Sequence, residues 1–365
     1  MNNLHRLHHE QRQSPWLDNL TRDHLHSGHL ERLVERGVRG VTANPTILAN
    51  AIAGSTAYDD QFTRLVRDGA DVATAYWELV IADVVDALDV LGPLHESSKA
   101  ADGFVSLEVA PGLAYDAAAS ARAAIELHQR INRSNLLVKI PATGPGIDAI
   151  REATAAGASI NVTLIFSLDR YTQVIEAYLS GLEALAANGG DLHRVRSVAS
   201  FFVSRVDTEV ERRLNALGDA PDELLGTVAI AQARAAYAMF RAAFAGPRWD
   251  ALAARGATPQ RPLWASTSTK DPALPDTLYV DALIGPDTVT TLPEPTIDAF
   301  NDHGTVIRTI DHDPEATAAV LARAADRGVD LAEVGRTLED QGVAAFARSF
   351  AEILGRLRAK VPVDV

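Results

Sequence analysis

Lys139 stands between Val138 and Ile140 in the run LLVKIPAT, residues 136–143. The branched, apolar make-up of that run predicts a short buried strand. Such a strand normally excludes an ammonium, because desolvating one without a partner costs several kcal/mol. Lysine is also scarce here: only Lys99, Lys139, Lys270 and Lys360 occur, and arginine supplies the other basic side chains. A desolvated lysine is a nucleophile that condenses with a carbonyl compound to give a Schiff base. The plainer alternative is a strand-end lysine whose head reaches solvent.

Other polar residues recur near the ends of apolar runs. They are Asp18, Asn44, Glu108, Asn161 with Thr163, Ser200 with Phe202 and Arg205, Ser266 with Ser268 and Lys270, and Thr291 with Glu294. Each has an ordinary explanation. Asp18 could cap a helix, Asn44 could open the Asn-Pro turn, and Arg205 could lie on the surface. Together they make a polar pocket suited to a polyhydroxylated carbonyl substrate. Carboxylates serve as acid and base, the lysine as nucleophile, and amides and hydroxyls as partners for sugar hydroxyls. Arg205 and Lys270, with Ser268, supply fixed positive charge for a phosphate.

The elements that must hold these residues alternate. Strands are predicted near 16–19, 40–44, 104–109, 136–141, 160–166, 197–203, 262–266 and 288–292. Helical patterns fall between them, notably at 73–91, 114–131, 144–157, 167–190 and 207–255, and again over 313–360. Ser167 is a candidate N-cap. Such βα units imply a parallel sheet, and eight of them a closed (β/α)8 TIM barrel of roughly 250 residues. The chain has 365 residues, which leaves additional N-terminal, inserted and C-terminal helices around one barrel domain spanning 1–365. The final segment, 341–360, is amphipathic and is expected to pack across the barrel mouth or side. An open dinucleotide-binding sheet is disfavoured, since no G-x-G-x-x-G follows the first strand.

Composition narrows the partners. The net charge of −14 disfavours nucleic acid and anionic membrane surfaces. There is no cysteine, so disulfides and cysteine–zinc sites are excluded. No apolar run approaches the ~20 residues of a membrane span, and the polar start MNNLHRLHHEQRQ has no apolar signal core. The expectation is a soluble cytoplasmic protein, monomeric or homodimeric. His5, His8, His9, His24, His26 and His29 crowd the first 29 residues, where solvated helix faces are expected rather than a metal site.

The segments WLDNL, TANPTI, SLEV, VKIPAT, INVTLIFS, SFFVSRVD, WASTSTK and TLPEPT occur, in this order, in a chain that resembles the transaldolases in their longer bacterial form. The resemblance runs from about residue 14 to about 360. It implies a barrel whose Schiff-base lysine, on the fourth strand, is Lys139. It further implies Asp18 as acid–base aspartate, Glu108 as the glutamate that works with a bound water, and Thr163 as the residue placing that water. Asn44, Asn161, Ser200, Phe202 and Arg205 fall on substrate-binding positions. The second phosphate-binding cation is often an arginine in the family. Here STK supplies Ser268 and Lys270, which keeps the charge and loses the bidentate fork. The implied reaction is transfer of a dihydroxyacetone unit between sugar phosphates, with no metal or organic cofactor. Nearby alternatives are a fructose 6-phosphate aldolase, a related enzyme for another sugar phosphate, and a silent sugar-phosphate sensor. The presence of Glu108 favours the transferase over the aldolase.

Overall fold

The computed structural model describes residues 1–43, 51–52, 54–218 and 222–361. Its strands are β1 (Gln13–Leu17), β2 (Gly40–Thr42), β3 (Phe104–Glu108), β4 (Leu136–Pro141), β5 (Ile160–Ile165), β6 (Ser197–Phe202), β7 (Arg261–Ala265) and β8 (Thr288–Leu292). Each pairs in parallel with its neighbours in sequence, and β8 returns to β1, so the eight close a barrel. Strands covered on both faces have no solvent side to alternate with, which is why most of these runs are nearly continuously apolar.

The first strand begins three residues earlier than its composition suggests. The expected leader forms the helix Asn3–Gln11, and Arg12 leaves it in the left-handed conformation. Gln13 and Ser14 then enter the barrel fully buried. Their donors are bonded: Gln13 Nε2 donates to Leu283 O at 2.7 Å, and Ser14 Oγ to Asp102 Oδ1 at 2.6 Å, while Gln13 Oε1 has no partner among the described residues. A buried polar group costs little when it is paired, so a polar start can still be core strand. Further up β1, Trp16 fills the barrel beside Phe104. Gly40 makes room for it, since a Cβ there would lie 2.6 Å from the indole.

Helices of the outer ring start where the sequence supplies caps. Ser167 accepts from Arg170 N ahead of Leu168–Ala187, and Asp116 accepts from Ala119 N ahead of Ala117–Ile131. The insertion is dominated by the helix Val72–Ser97. It is tied to the start of the barrel by a buried ion pair, Arg22 Nε to Asp83 Oδ1 at 2.7 Å. The region expected to be helical over 207–255 is divided into Ser204–Ala216, Val228–Ala243 and Pro247–Ala253.

The last helix, Leu331–Ala359, crosses the end of the barrel where the strands finish. At 29 residues it is about 43 Å long. Gly335 sits against Ser167, just past β5, and Gly342 against Leu164 in β5; a Cβ at either would come within 2.9 Å of its neighbour. Phe350 stacks edge-on to Tyr76 of the inserted helix. No helix among the described residues is long and apolar enough to cross a membrane.

Candidate active site

Glu108, Lys139 and Asn161 occupy one row of the sheet: Glu108 is in register with Lys139, and Lys139 with Asn161. Strand alternation turns all three into the barrel. Lys139 is 6 % exposed and Glu108 4 %, so a basic and an acidic side chain sit together almost shut off from bulk solvent. Lys139 Nζ lies 3.3 Å from Glu108 Oε2. Burial pushes the Glu108 carboxyl above the usual range, and the Lys139 ammonium pulls it back. Yet Glu108 Oε2 lacks a well-aligned hydrogen bond among the described residues, and so does Thr163 Oγ1. Buried oxygens left in this state suit a site completed by water or ligand.

Asn161 is held more fully. Its Nδ2 donates to Ser106 Oγ at 3.0 Å, and its Oδ1 accepts from Ser200 Oγ at 2.7 Å. An amide has two N–H donors, and among the described residues only one of them is used. Thr163 follows two residues later on the same side of β5. Directly after it the strand breaks register, with Leu164 in the left-handed region at φ 59°. The bulge ends the regular strand just above Thr163 and presses Leu164 onto Gly342 of the crossing helix.

Asp18 lies one residue past β1, half-buried, and its backbone N–H donates to Leu292 O of β8. It does not cap the following helix, whose N-cap is Thr21. Instead Asp18 Oδ1 accepts from Thr42 Oγ1 at 2.9 Å, which orients the carboxylate, and among the described residues its second oxygen accepts no hydrogen bond. Asn44 lies outside the described residues.

The cations gather at the far side of the mouth. Arg205 is in the first turn of Ser204–Ala216, its Cζ 5.3 Å from the Phe202 ring centre. Phe202 itself packs on Phe166. Desolvation lowers Arg205 from its ordinary range, and Asp18 opposes the shift. Lys270 Nζ donates to Ser268 Oγ at 2.8 Å. Partial desolvation, then the like charge of Arg205, lower the Lys270 ammonium, against the pull of Asp18. Arg205, Lys270 and Asp18 therefore act on one another through space: two cations and one carboxylate around a common mouth. Two more polar positions from the strand ends are absorbed by the fold. Ser266 Oγ shares a hydrogen bond with Ser204 Oγ, and Thr291 Oγ1 donates to Trp264 O.

Three contributors have little signal in the sequence. Ser106 lies two residues before Glu108, so strand periodicity places it on the same face, and Thr42 ends β2, but their type is common in any strand. Tyr76 is 4 % exposed on the inserted helix. Burial raises its phenol well above the usual range, and the Glu108 carboxylate adds to the shift. A separate cavity of about 750 Å³ opens at the opposite end of the barrel, lined by Arg12, Asp102, Arg241 and Arg261 among others. Cavity volume does not locate the reactive end, because none of the candidate residues lines that space.

A closed barrel whose strand ends gather a buried lysine–glutamate pair, a held carboxylate and two cations has the make-up of an imine-forming enzyme for phosphorylated carbonyl compounds. Sequence comparison gives the family. The model for Transaldolase/Fructose-6-phosphate aldolase matches residues 15–357, and the chain belongs to this family. A transaldolase of Frankia alni is 50 % identical over 345 residues, covering 94 % of this chain and 93 % of that one. One of a Parafrankia species is 48 % identical over 349 residues, 95 % of each. One of Thermobifida fusca is 48 % identical over 345 residues, 94 % of each.

Proposed function

We propose that this chain is a transaldolase of the non-oxidative pentose phosphate pathway. It transfers a dihydroxyacetone unit reversibly from sedoheptulose 7-phosphate or fructose 6-phosphate to glyceraldehyde 3-phosphate or erythrose 4-phosphate. The observation that carries this reading is Glu108 Oε2 at 3.3 Å from Lys139 Nζ inside the barrel. A nucleophilic lysine must shed its proton, and the carboxylate beside it is the nearest base.

In this mechanism the Lys139 amine attacks the donor ketone and forms a carbinolamine. Glu108, through a water seated by Thr163, moves the protons that release hydroxide as water and leave a protonated imine. The Asp18 carboxylate takes the proton from the C4 hydroxyl. The C3–C4 bond then breaks, its electron pair passes to the imine as an enamine, and the shorter aldose phosphate leaves. The acceptor aldehyde enters, the enamine attacks it, and the steps reverse. Asn161, held by Ser106 and Ser200, and Asn44 bind hydroxyls of the retained unit. Arg205 and Lys270, with Ser268 and the Phe202 ring, bind the phosphate. The crossing helix Leu331–Ala359 and Tyr76 shield the chamber from water, which would otherwise protonate the enamine. The whole chain acts as one barrel domain, and phosphorylated substrates fit a cytoplasmic setting.

The test separates transfer from simple cleavage. With fructose 6-phosphate alone, a transaldolase releases one equivalent of glyceraldehyde 3-phosphate per site and stops. Adding erythrose 4-phosphate starts continuous turnover to sedoheptulose 7-phosphate. Sustained release of free dihydroxyacetone without an acceptor, at the rate seen with one, would contradict the transferase reading in favour of an aldolase.

A further inference from the structure

His24, His29 and Glu294 meet at the same rim as Asp18 but take no part in the mechanism above. Glu294 opens the helix Glu294–His303, just after β8. His24 lies in Arg22–His26, and His29 starts His29–Glu35. Gly28, at φ 67°, makes the left-handed turn between the two helices and brings both imidazoles to one side. Their ring centres are 5.0 Å apart. His24 Nε2 is 3.2 Å from Glu294 Oε1, and His29 Nε2 is 2.7 Å from Glu294 Oε2. One ligand atom from each residue lies within 4.8 Å of the others.

We propose that His24, His29 and Glu294 form a binding site for a zinc-like divalent cation. Zinc bonds of about 2.0–2.2 Å in a tetrahedron set ligand atoms about 3.3–3.5 Å apart. The His24–Glu294 separation of 3.2 Å falls near that spacing, while the 2.7 Å His29–Glu294 hydrogen bond has to open by about 0.6–0.8 Å as a cation replaces its proton. Two imidazoles and a carboxylate are donors that suit zinc and disfavour calcium or magnesium. The side chains are 17–31 % exposed, sheltered and still reachable from solvent. Their frame is stiff: Arg22, two residues before His24, is buried with Asp83 on one side and lies over the Tyr58 ring on the other. A cation here ties the segment after β1 to the segment after β8. Those are the two segments that flank Asp18, whose N–H is bonded to Leu292 O. The site thus braces the acid–base carboxylate without touching substrate.

The experiment uses the untagged full chain, stripped with chelator and dialysed against zinc. Mass spectrometry for metal is expected to find one zinc per chain, with a rise in Tm over the stripped protein. Cobalt in place of zinc is expected to give the visible absorption of a tetrahedral site. His24→Ala and His29→Ala should each weaken binding at least tenfold and remove the cobalt band, while His9→Ala, among the other N-terminal histidines, leaves both unchanged. No retained zinc at micromolar concentrations would overturn the proposal and leave a hydrogen-bonded cluster. Zinc lost with His9→Ala but kept by His29→Ala would also overturn it. Neither outcome bears on Lys139, so the transaldolase reading stands or falls separately.

Discussion

Both ends of this barrel bury charge, and they treat it in opposite ways. At the N-terminal end, Asp102 is 1 % exposed and saturated. It accepts from Ser14 Oγ and Arg39 Nε, both at 2.6 Å, and lies 3.5 Å from Arg261 Nη1. Arg261 in turn donates to Ala101 O and Thr288 O. At the C-terminal end, Glu108 and Lys139 touch at 3.3 Å, and Glu108 Oε2 and Thr163 Oγ1 lack hydrogen-bond partners among the described residues. Partnerless buried atoms occur at the N-terminal end too, at Gln13 Oε1 and Gln260 Oε1 among the described residues, but they belong to neutral amides. At the C-terminal end the incompletely bonded oxygen belongs to a buried carboxylate beside a lysine, which is the arrangement that reactive groups use. Residue type alone does not separate them, since each end has acids, bases and hydroxyls.

The sharpest way to break this contrast is to remove one charge from each end. Lys139→Ala is expected to cut transfer by at least on the order of 10³-fold, because the covalent route is lost. Glu108→Gln should lower kcat by about 10²-fold or more with KM little changed, as loss of proton transfer requires. Steady-state kinetics with fructose 6-phosphate and erythrose 4-phosphate checks both. Asp102→Ala should do the reverse: a stability loss of about 3 kcal/mol in urea unfolding, with kcat of the folded fraction unchanged. Loss of kcat there would erase the distinction between the two ends.

Smaller effects sharpen it. Arg205→Ala should raise KM for the phosphorylated donor by about 10- to 100-fold, the value of a charge-assisted contact. Lys270→Ala should cost less, because its ammonium is more exposed. Asp207 provides a buried acid outside both networks. Its carboxylate accepts from Ala229 N and Tyr279 Oη, and burial raises it to about 7. With a folded value above the unfolded one of about 3.9, its contribution is fully present below that value and is lost as pH rises through about 7. Asp207→Asn should therefore flatten the fall in Tm between about pH 4 and 7. An unchanged slope would show that another group sets it.

Much of this architecture was legible in the sequence, for physical reasons that differ by element. Strands β4 (LLVKIP) and β5 (INVTLI) announce themselves because branched apolar runs buried on both faces leave little ambiguity, whereas β8 (TVTTL) reads as a strand through its β-branched threonines. Strand β1 did not, since Gln13 and Ser14 are polar and only their partners, Leu283 O and Asp102, make them interior. Lys139, Glu108 and Asn161 could be picked out as polar residues in apolar frames, and their shared row follows from strand register. Tyr76 and the His24–His29–Glu294 cluster could not. They arise from contacts between distant segments, and the N-terminal histidines expected on solvated faces include two that are half-buried against Glu294. Asn44 lies outside the described residues.

The central claim is that Lys139 carries the substrate covalently. Intact mass after incubation with fructose 6-phosphate and borohydride tests it directly, on the native chain and on Lys139→Ala. The mechanism predicts a reduced three-carbon adduct on the native chain alone, mapped to Lys139 by peptide analysis, and discharged when erythrose 4-phosphate precedes the reductant. No adduct on folded native protein, or an adduct that persists on Lys139→Ala, would contradict it.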